Sequence, residues 1–215
     1  AREAETGHRF VGHGGSTWFD IQKVRQQIIH GGIDHLMFVL GLLLLVGGGT
    51  RLLWTITAFT VGHSVTLGLV TLGLLSYPVS LVEFAIALSI FVLALDLARS
   101  PQVGSNQHVS LFKRHPWWLA GGFGLLHGMG FAGALADIGL PQSNVPLALL
   151  FFNIGIEAGQ IAFLLLLLGG WWLFKQALAM SAVTVNRTRL VLIPVYLLGG
   201  LSAMWCIERG IALIS

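Results

Sequence analysis

Apolar segments along this chain each carry an ionisable side chain at bilayer depth. Asp34 and His35 open one, His63 sits within the next, and Glu83 comes early in a third. His127 lies within a fourth and Glu157 inside a fifth. A charge at the bilayer centre costs roughly 2.5–3.5 kcal/mol on insertion scales, so such residues face a protein interior or a watery path. The chain has to turn these groups inward while its apolar bulk meets hydrocarbon. Of 215 residues, 55% are hydrophobic and 10% charged, against about 25% charged in an average soluble domain. This is the composition of a polytopic membrane protein.

The net charge of +3 comes from Lys and Arg clustered in loops, which in a membrane protein is first a topology signal. No basic run is interleaved with aromatics, so a nucleic-acid partner is not expected. A single cysteine, Cys206, excludes an internal disulfide framework and a Cys-based zinc site. The first residue is Ala1 rather than Met, which reads as a processed or truncated start.

The expected architecture is all-α, a transmembrane helix bundle of about six spans preceded by an amphipathic helix. Residues 1–17 are polar and glycine-rich, and 18–215 form the membrane domain. Trp18, Ile21, Val24 and Ile28 recur at spacings of three and four, marking the amphipathic helix. Gly31-Gly32 is expected to break or bend the chain, or to lie within one long kinked segment. Spans follow at 33–46, 52–75, 78–98, 117–136, 145–172 and 190–211. The first is short for the ~20 residues a crossing needs. Pro116 suits a helix start. Arg51, Arg99, Lys113, Arg114, Lys175, Arg187 and Arg189 fall in loops on one side, which the positive-inside rule makes cytoplasmic. Both termini are then expected outside, in a bacterial inner membrane. Trp117, Trp118, Trp171 and Trp172 mark the headgroup level.

Four motifs carry the candidate chemistry. His30-Gly-Gly-Ile-Asp34-His35 places three polar groups in six positions, with Asp34 and His35 about 100° apart on a helix. Asp34 would alternatively cap its span. Thr60, His63 and Ser64 form one stripe at i, i+3 and i+4. His127 lies between Gly124 and Gly128, a small-xxx-small pair that permits close helix packing and also leaves room for a ligand. Asn153, Glu157 and Gln160 share a face that is costly toward lipid and suits a ladder orienting histidines. Glu83 joins them, with an interfacial acid as its simpler reading. Asp96 and Asp137 read as caps at span ends, and His108 and His115 as solvated loop residues. Asp34, His35 and Glu83 fall in the outer third and His63, His127 and Glu157 near the middle, a polar path leading in from outside.

Across these stretches the chain resembles the HupE/UreJ family of hydrogenase and urease accessory membrane proteins, in its second subfamily. The matching segments are Gly32-Ile-Asp34-His35-Leu, Gly62-His63-Ser64-Val-Thr66-Leu, Val82-Glu83-Phe-Ala-Ile-Ala-Leu-Ser89, Phe123-Gly-Leu-Leu-His127-Gly-Met-Gly-Phe131 and Phe152-Asn153-Ile-Gly-Ile-Glu157-Ala-Gly-Gln160. His30-x3-Asp34-His35 is also similar to the His-x4-Asp-His signature of nickel/cobalt permeases, one residue shorter. The resemblance implies nickel or cobalt uptake for metalloenzyme assembly.

The residues themselves leave three readings open. The first is a membrane protein that handles Ni²⁺, Co²⁺ or Zn²⁺ through imidazoles and carboxylates, a donor set that argues against copper(I). Its candidate ligands are His30, Asp34, His35, His63, Glu83, His127 and Glu157, supported by Ser64, Asn153 and Gln160. The second is an intramembrane metal-dependent hydrolase, with His35, His63 and His127 on zinc and Glu157 or Asp34 as base. The third is a non-transporting subunit or assembly factor. Expected partners are lipid, the metal ion, and a metalloenzyme assembly system or larger membrane complex.

Overall fold

The computed structural model describes residues 18–99, 111–138, 144–180 and 187–214. These form helices α1 (Trp18–Val46), α2 (Thr50–Thr71), α3 (Val79–Arg99), α4 (Leu111–Arg114), α5 (Pro116–Ile138), α6 (Val145–Met180) and α7 (Arg187–Ile214), with no strand among them. The all-α expectation is borne out. The segment 1–17, His108, and the side chains of residues 18–31, His30 included, lie outside the described residues, as do those of Asp137, Arg187 and Arg189.

The fifth span, expected to end at 172, runs on to Met180 in α6, and two further junctions are decided by local geometry. Gly31-Gly32 does not interrupt α1, which runs unbroken from the amphipathic segment into the first apolar stretch. Glycine within a helix costs about 1 kcal/mol, which the packing of the following turns offsets. The second span ends at Thr71 rather than at residue 75. Gly73 adopts φ 72°, and the Gly73 and Leu74 N–H groups donate to the Val70 and Leu69 carbonyls at 2.9 Å each. This is the Schellman arrangement, and it stops the helix by turning the chain through a left-handed residue.

Four helical stretches are long and apolar enough to cross a membrane: Thr50–Thr71, Val79–Arg99, Val145–Met180 and Leu192–Ile214. The first expected span keeps a shorter apolar stretch, Gly32–Val46, and the fourth is the 23-residue α5. Large apolar side chains such as Trp54, Phe151, Leu166 and Tyr196 are exposed on the outside, while Phe38, Leu42, Phe59, Ile90 and Leu93 are buried within. The exterior is therefore greasier than a soluble bundle tolerates.

Contacts fix the relative directions of the helices. Phe59 meets Gly124 and His63 meets Gly128, so α2 and α5 run parallel. Ala94 faces Gly199 and Phe84 faces Gly210, so α3 and α7 are antiparallel. Phe38 stacks on Phe59 while His35 meets His63, which makes α1 antiparallel to α2. This alternation is what successive crossings produce. Arg51 at the start of α2 donates to the Lys113 and Arg114 carbonyls of α4, gathering basic residues at one end. Asp34, Glu83 and Arg209 come together at the other.

The α2–α5 seam holds the bundle at its closest. Lipid tails are as apolar as leucine, so helix association in a membrane rests on close packing and hydrogen bonds. A Cβ built on Gly124 would fall on the Phe59 carbonyl, and one on Gly128 on the His63 carbonyl. The Thr66 hydroxyl spans the seam, donating to the Leu125 carbonyl at 2.7 Å.

Candidate functional site

His35, Phe38, Val39 and Leu42 are all buried, a three-and-four stripe that carries the inner face of α1. Asp34 precedes His35 by about 100° of helical rotation, and the two side chains consequently reach different neighbours. His35 points into the bundle between α2, α5 and α6, whereas Asp34 meets α7.

His35 is the hub of a cluster. Its ring centre lies 5.6 Å from that of His63 and 5.9 Å from that of His127. The three histidines are 5%, 0% and 1% exposed in the order His35, His63, His127. Phenylalanines wall the cluster. Phe59 sits 4.8 Å from His35 and 5.1 Å from His127, and Phe131 lies 5.8 Å from His35 and 5.4 Å from His63. Phe38 closes the remaining side, 5.1 Å from His127. The glycine seam makes this approach possible, because it brings the backbones bearing His63 and His127 together.

Most ring nitrogens here have no hydrogen-bond partner among the described residues. Both nitrogens of His63, Nε2 of His127 and Nδ1 of His35 are buried without a hydrogen bond. A buried polar atom left unsatisfied costs about 1–3 kcal/mol. Gln160 meets the other ring nitrogen of His35, its amide nitrogen against Nε2. The Thr60 hydroxyl donates to Gln160 Oε1 at 3.2 Å, which commits the amide's N–H side to His35. His35 Nε2 is thereby an acceptor, and a neutral ring carries its proton on Nδ1.

The carboxylates take other places. Asp34 pairs with Arg209 at 2.6 Å, the two side chains 3% and 14% exposed. Glu157 Oε1 accepts a 3.0 Å hydrogen bond from the Thr57 hydroxyl, so its partner is α2 rather than an imidazole. Glu83 is half-buried on α3 and lines a cavity of about 200 Å³ with Asp34, His127, Trp205, Glu208 and Arg209. Through His127 this cavity reaches the imidazole cluster. Asn153 turns back on its own helix, donating to the Leu149 carbonyl at 2.9 Å, and Ser64 does the same to Thr60 at 2.7 Å.

The candidate residues thus divide into an imidazole cluster with Gln160, a cavity at the other end from Arg51 with Asp34 and Glu83, and side supports. Among the described residues, no group of three or more His, Cys, Asp and Glu is arranged to hold a metal ion. The chemistry on offer is that of Lewis-basic ring nitrogens in a dry, aromatic enclosure. Arg209, the partner of Asp34, is absent from the candidates read from the sequence. Its signal was an arginine inside an apolar span, one turn after Trp205.

No curated protein and no solved structure matches this chain. A family model described as HupE / UreJ protein matches residues 18–209, from the start of α1 to Arg209 within α7. With that match over most of its length, the chain belongs to the HupE/UreJ family.

Proposed function

We propose that this protein binds a divalent transition metal, nickel or cobalt, inside the membrane and delivers it for metalloenzyme assembly. The observation that carries the reading is the trio of buried imidazoles from α1, α2 and α5, with ring nitrogens that have no hydrogen-bond partner among the described residues. Neutral imidazole with nearby carboxylate is the donor set of Ni²⁺, Co²⁺ and Zn²⁺, and the lone Cys206 offers no thiolate pair for a softer ion. The link to nickel or cobalt specifically is an analogy from the family.

The metal is cargo on this reading. It enters by the outer cavity, where Asp34, Glu83 and Glu208 supply negative charge, and meets His127 at the cavity wall. His63 and His35 lie next to it. For His35 Nδ1 to ligate, the ring proton moves to Nε2 and the Gln160 amide turns its oxygen toward it, the arrangement in which partners of ligating histidines fix the tautomer. Binding requires the rings to shift so that their nitrogens converge, a movement of rotamers rather than of helices.

The hydrolase reading needs a carboxylate base beside the imidazoles. Glu157 and Asp34 are instead engaged with Thr57 and Arg209. A purely structural subunit would leave His63 without a reason to be an imidazole.

The test is uptake of radiolabelled nickel by proteoliposomes carrying the purified chain. His63→Ala and His127→Ala are each expected to abolish it, with the variants still folded by circular dichroism. Wild-type flux from both would overturn the proposal. Clean co-purification with a larger complex, without flux, would select the subunit reading instead.

A further inference from the structure

The guanidinium of Arg209 lines the cavity through which, on the reading above, an incoming cation passes. It donates to Asp34 Oδ2 at 2.6 Å and to the Glu83 carbonyl at 2.9 Å, and lies 5.9 Å from the centre of the Trp205 ring. These three neighbours all line the same cavity, together with Glu208 and His127. His127 adds an independent sign of a ligand position: it is 1% exposed, and its Nε2 has no hydrogen-bond partner among the described residues. The cavity wall therefore presents three carboxylates, an unsatisfied imidazole and one tethered positive charge.

We infer, resting on the metal-handling reading above, that Arg209 is a built-in counter-cation which a divalent cargo displaces from Asp34, and that this exchange selects divalent over monovalent ions. An arginine stays protonated throughout the accessible pH range, so the Asp34 carboxylate is freed by competition and not by titration. At equal distance a doubly charged ion attracts a carboxylate twice as strongly as a guanidinium, sodium or potassium ion does. Only the divalent ion gains enough to take Arg209's place. The displaced side chain has a second seat ready, over the Trp205 ring and against the Glu83 carbonyl. Arg209 is thus a specificity-determining residue that never has to touch the cargo.

The experiment is calorimetric titration of nickel chloride into the full chain in detergent micelles, with and without excess sodium. Arg209→Gln is expected to bind nickel about tenfold tighter and to become sensitive to sodium, while Arg209→Lys, which keeps the charge, stays within about threefold of the unsubstituted protein. A residue with a merely structural role would not tighten binding when lost. Unchanged or weaker binding in Arg209→Gln, or equal tightening in both variants, overturns the inference while leaving the metal reading intact. No binding even by the unsubstituted protein overturns both. Should Arg209→Gln fail to fold, Trp205 emission decides, isolated by subtracting a Trp205→Phe variant. It is expected to change on nickel saturation of the unsubstituted protein, and emission that does not move overturns the inference.

Discussion

Replacing Gly128 with alanine tests the link between the glycine seam and the imidazole cluster with a single methyl group. A Cβ at this position would lie 2.9 Å from the His63 carbonyl carbon and closer still to its oxygen and to Thr66 Oγ1. Two of those atoms are backbone and cannot rotate away. Ordinary contact begins at 3.4 Å, so α5 and α2 must separate by about 1 Å in an interior packed like a crystal. Two opposing effects set the stability change. Glycine to alanine in a helix is worth about 0.8–1.0 kcal/mol in favour of alanine. Overpacking a filled site costs about 1–3 kcal/mol, and the 2.7 Å Thr66–Leu125 bond is stretched as well. The net expectation is a loss of up to about 2 kcal/mol, read as a lower Tm in micelles. Binding suffers as well, because the displaced carbonyl belongs to His63 itself. Moving a ligand-bearing backbone by about 1 Å is expected to weaken nickel binding by about tenfold or more, about 1.4 kcal/mol or more. Nickel isotherms should show this loss in Gly128→Ala. Gly122→Ala, where a new Cβ meets nothing within 4 Å, should bind as before and gain slightly in Tm. Gly128→Ala with unchanged affinity and Tm would refute the reasoning.

Other consequences are as open to measurement. Ligating imidazoles must be unprotonated, so nickel affinity should fall by about tenfold per pH unit for each ring that must shed a proton, once the pH is low enough to protonate the buried rings. Isotherms in a pH series give that slope, and binding that survives protonation of the rings excludes imidazole ligation. Gln160→Leu removes the one side-chain partner of His35 and should weaken nickel binding about 10- to 100-fold with the helices intact by circular dichroism; equal affinity would mean the contact orients nothing. Gly73→Ala places a Cβ at φ 72° and should cost about 1–2 kcal/mol, seen as a depressed Tm, and an unaltered Tm would sink that account of how α2 ends.

The helices and the inward faces were largely legible in the sequence, and the reason is specific to membranes. Both the lipid side and the core side of such a helix are apolar, so hydrophobic periodicity alone does not tell them apart. The polar stripes do. Thr60 and His63 are buried on α2, and Gln160 is buried on α6 between exposed neighbours, as the spacing predicted. Gly124 and Gly128 likewise announced the seam that brings His127 near His35. The pairings were not legible, since nothing local joins Asp34 to Arg209 across 175 positions or Glu157 to Thr57 across 100. The continuity of α1 through Gly31-Gly32 was one of two readings the sequence left open, for a related reason. Propensity marks those glycines as weak points, and only the packing of the turns beyond them decides that the helix continues.

The aromatic walls of the imidazole cluster have a consequence for hydration. Phe38, Phe59 and Phe131 turn apolar surface toward the rings, and the Gln160 amide is the polar side chain in contact with them. On the proposed reading, an ion that reached His63 would have to exchange most of its aquo ligands for nitrogen. Magnesium gives up its waters reluctantly and prefers oxygen. The same greasy lining that suits a lipid-embedded fold would then disfavour the commonest divalent competitor in the cell.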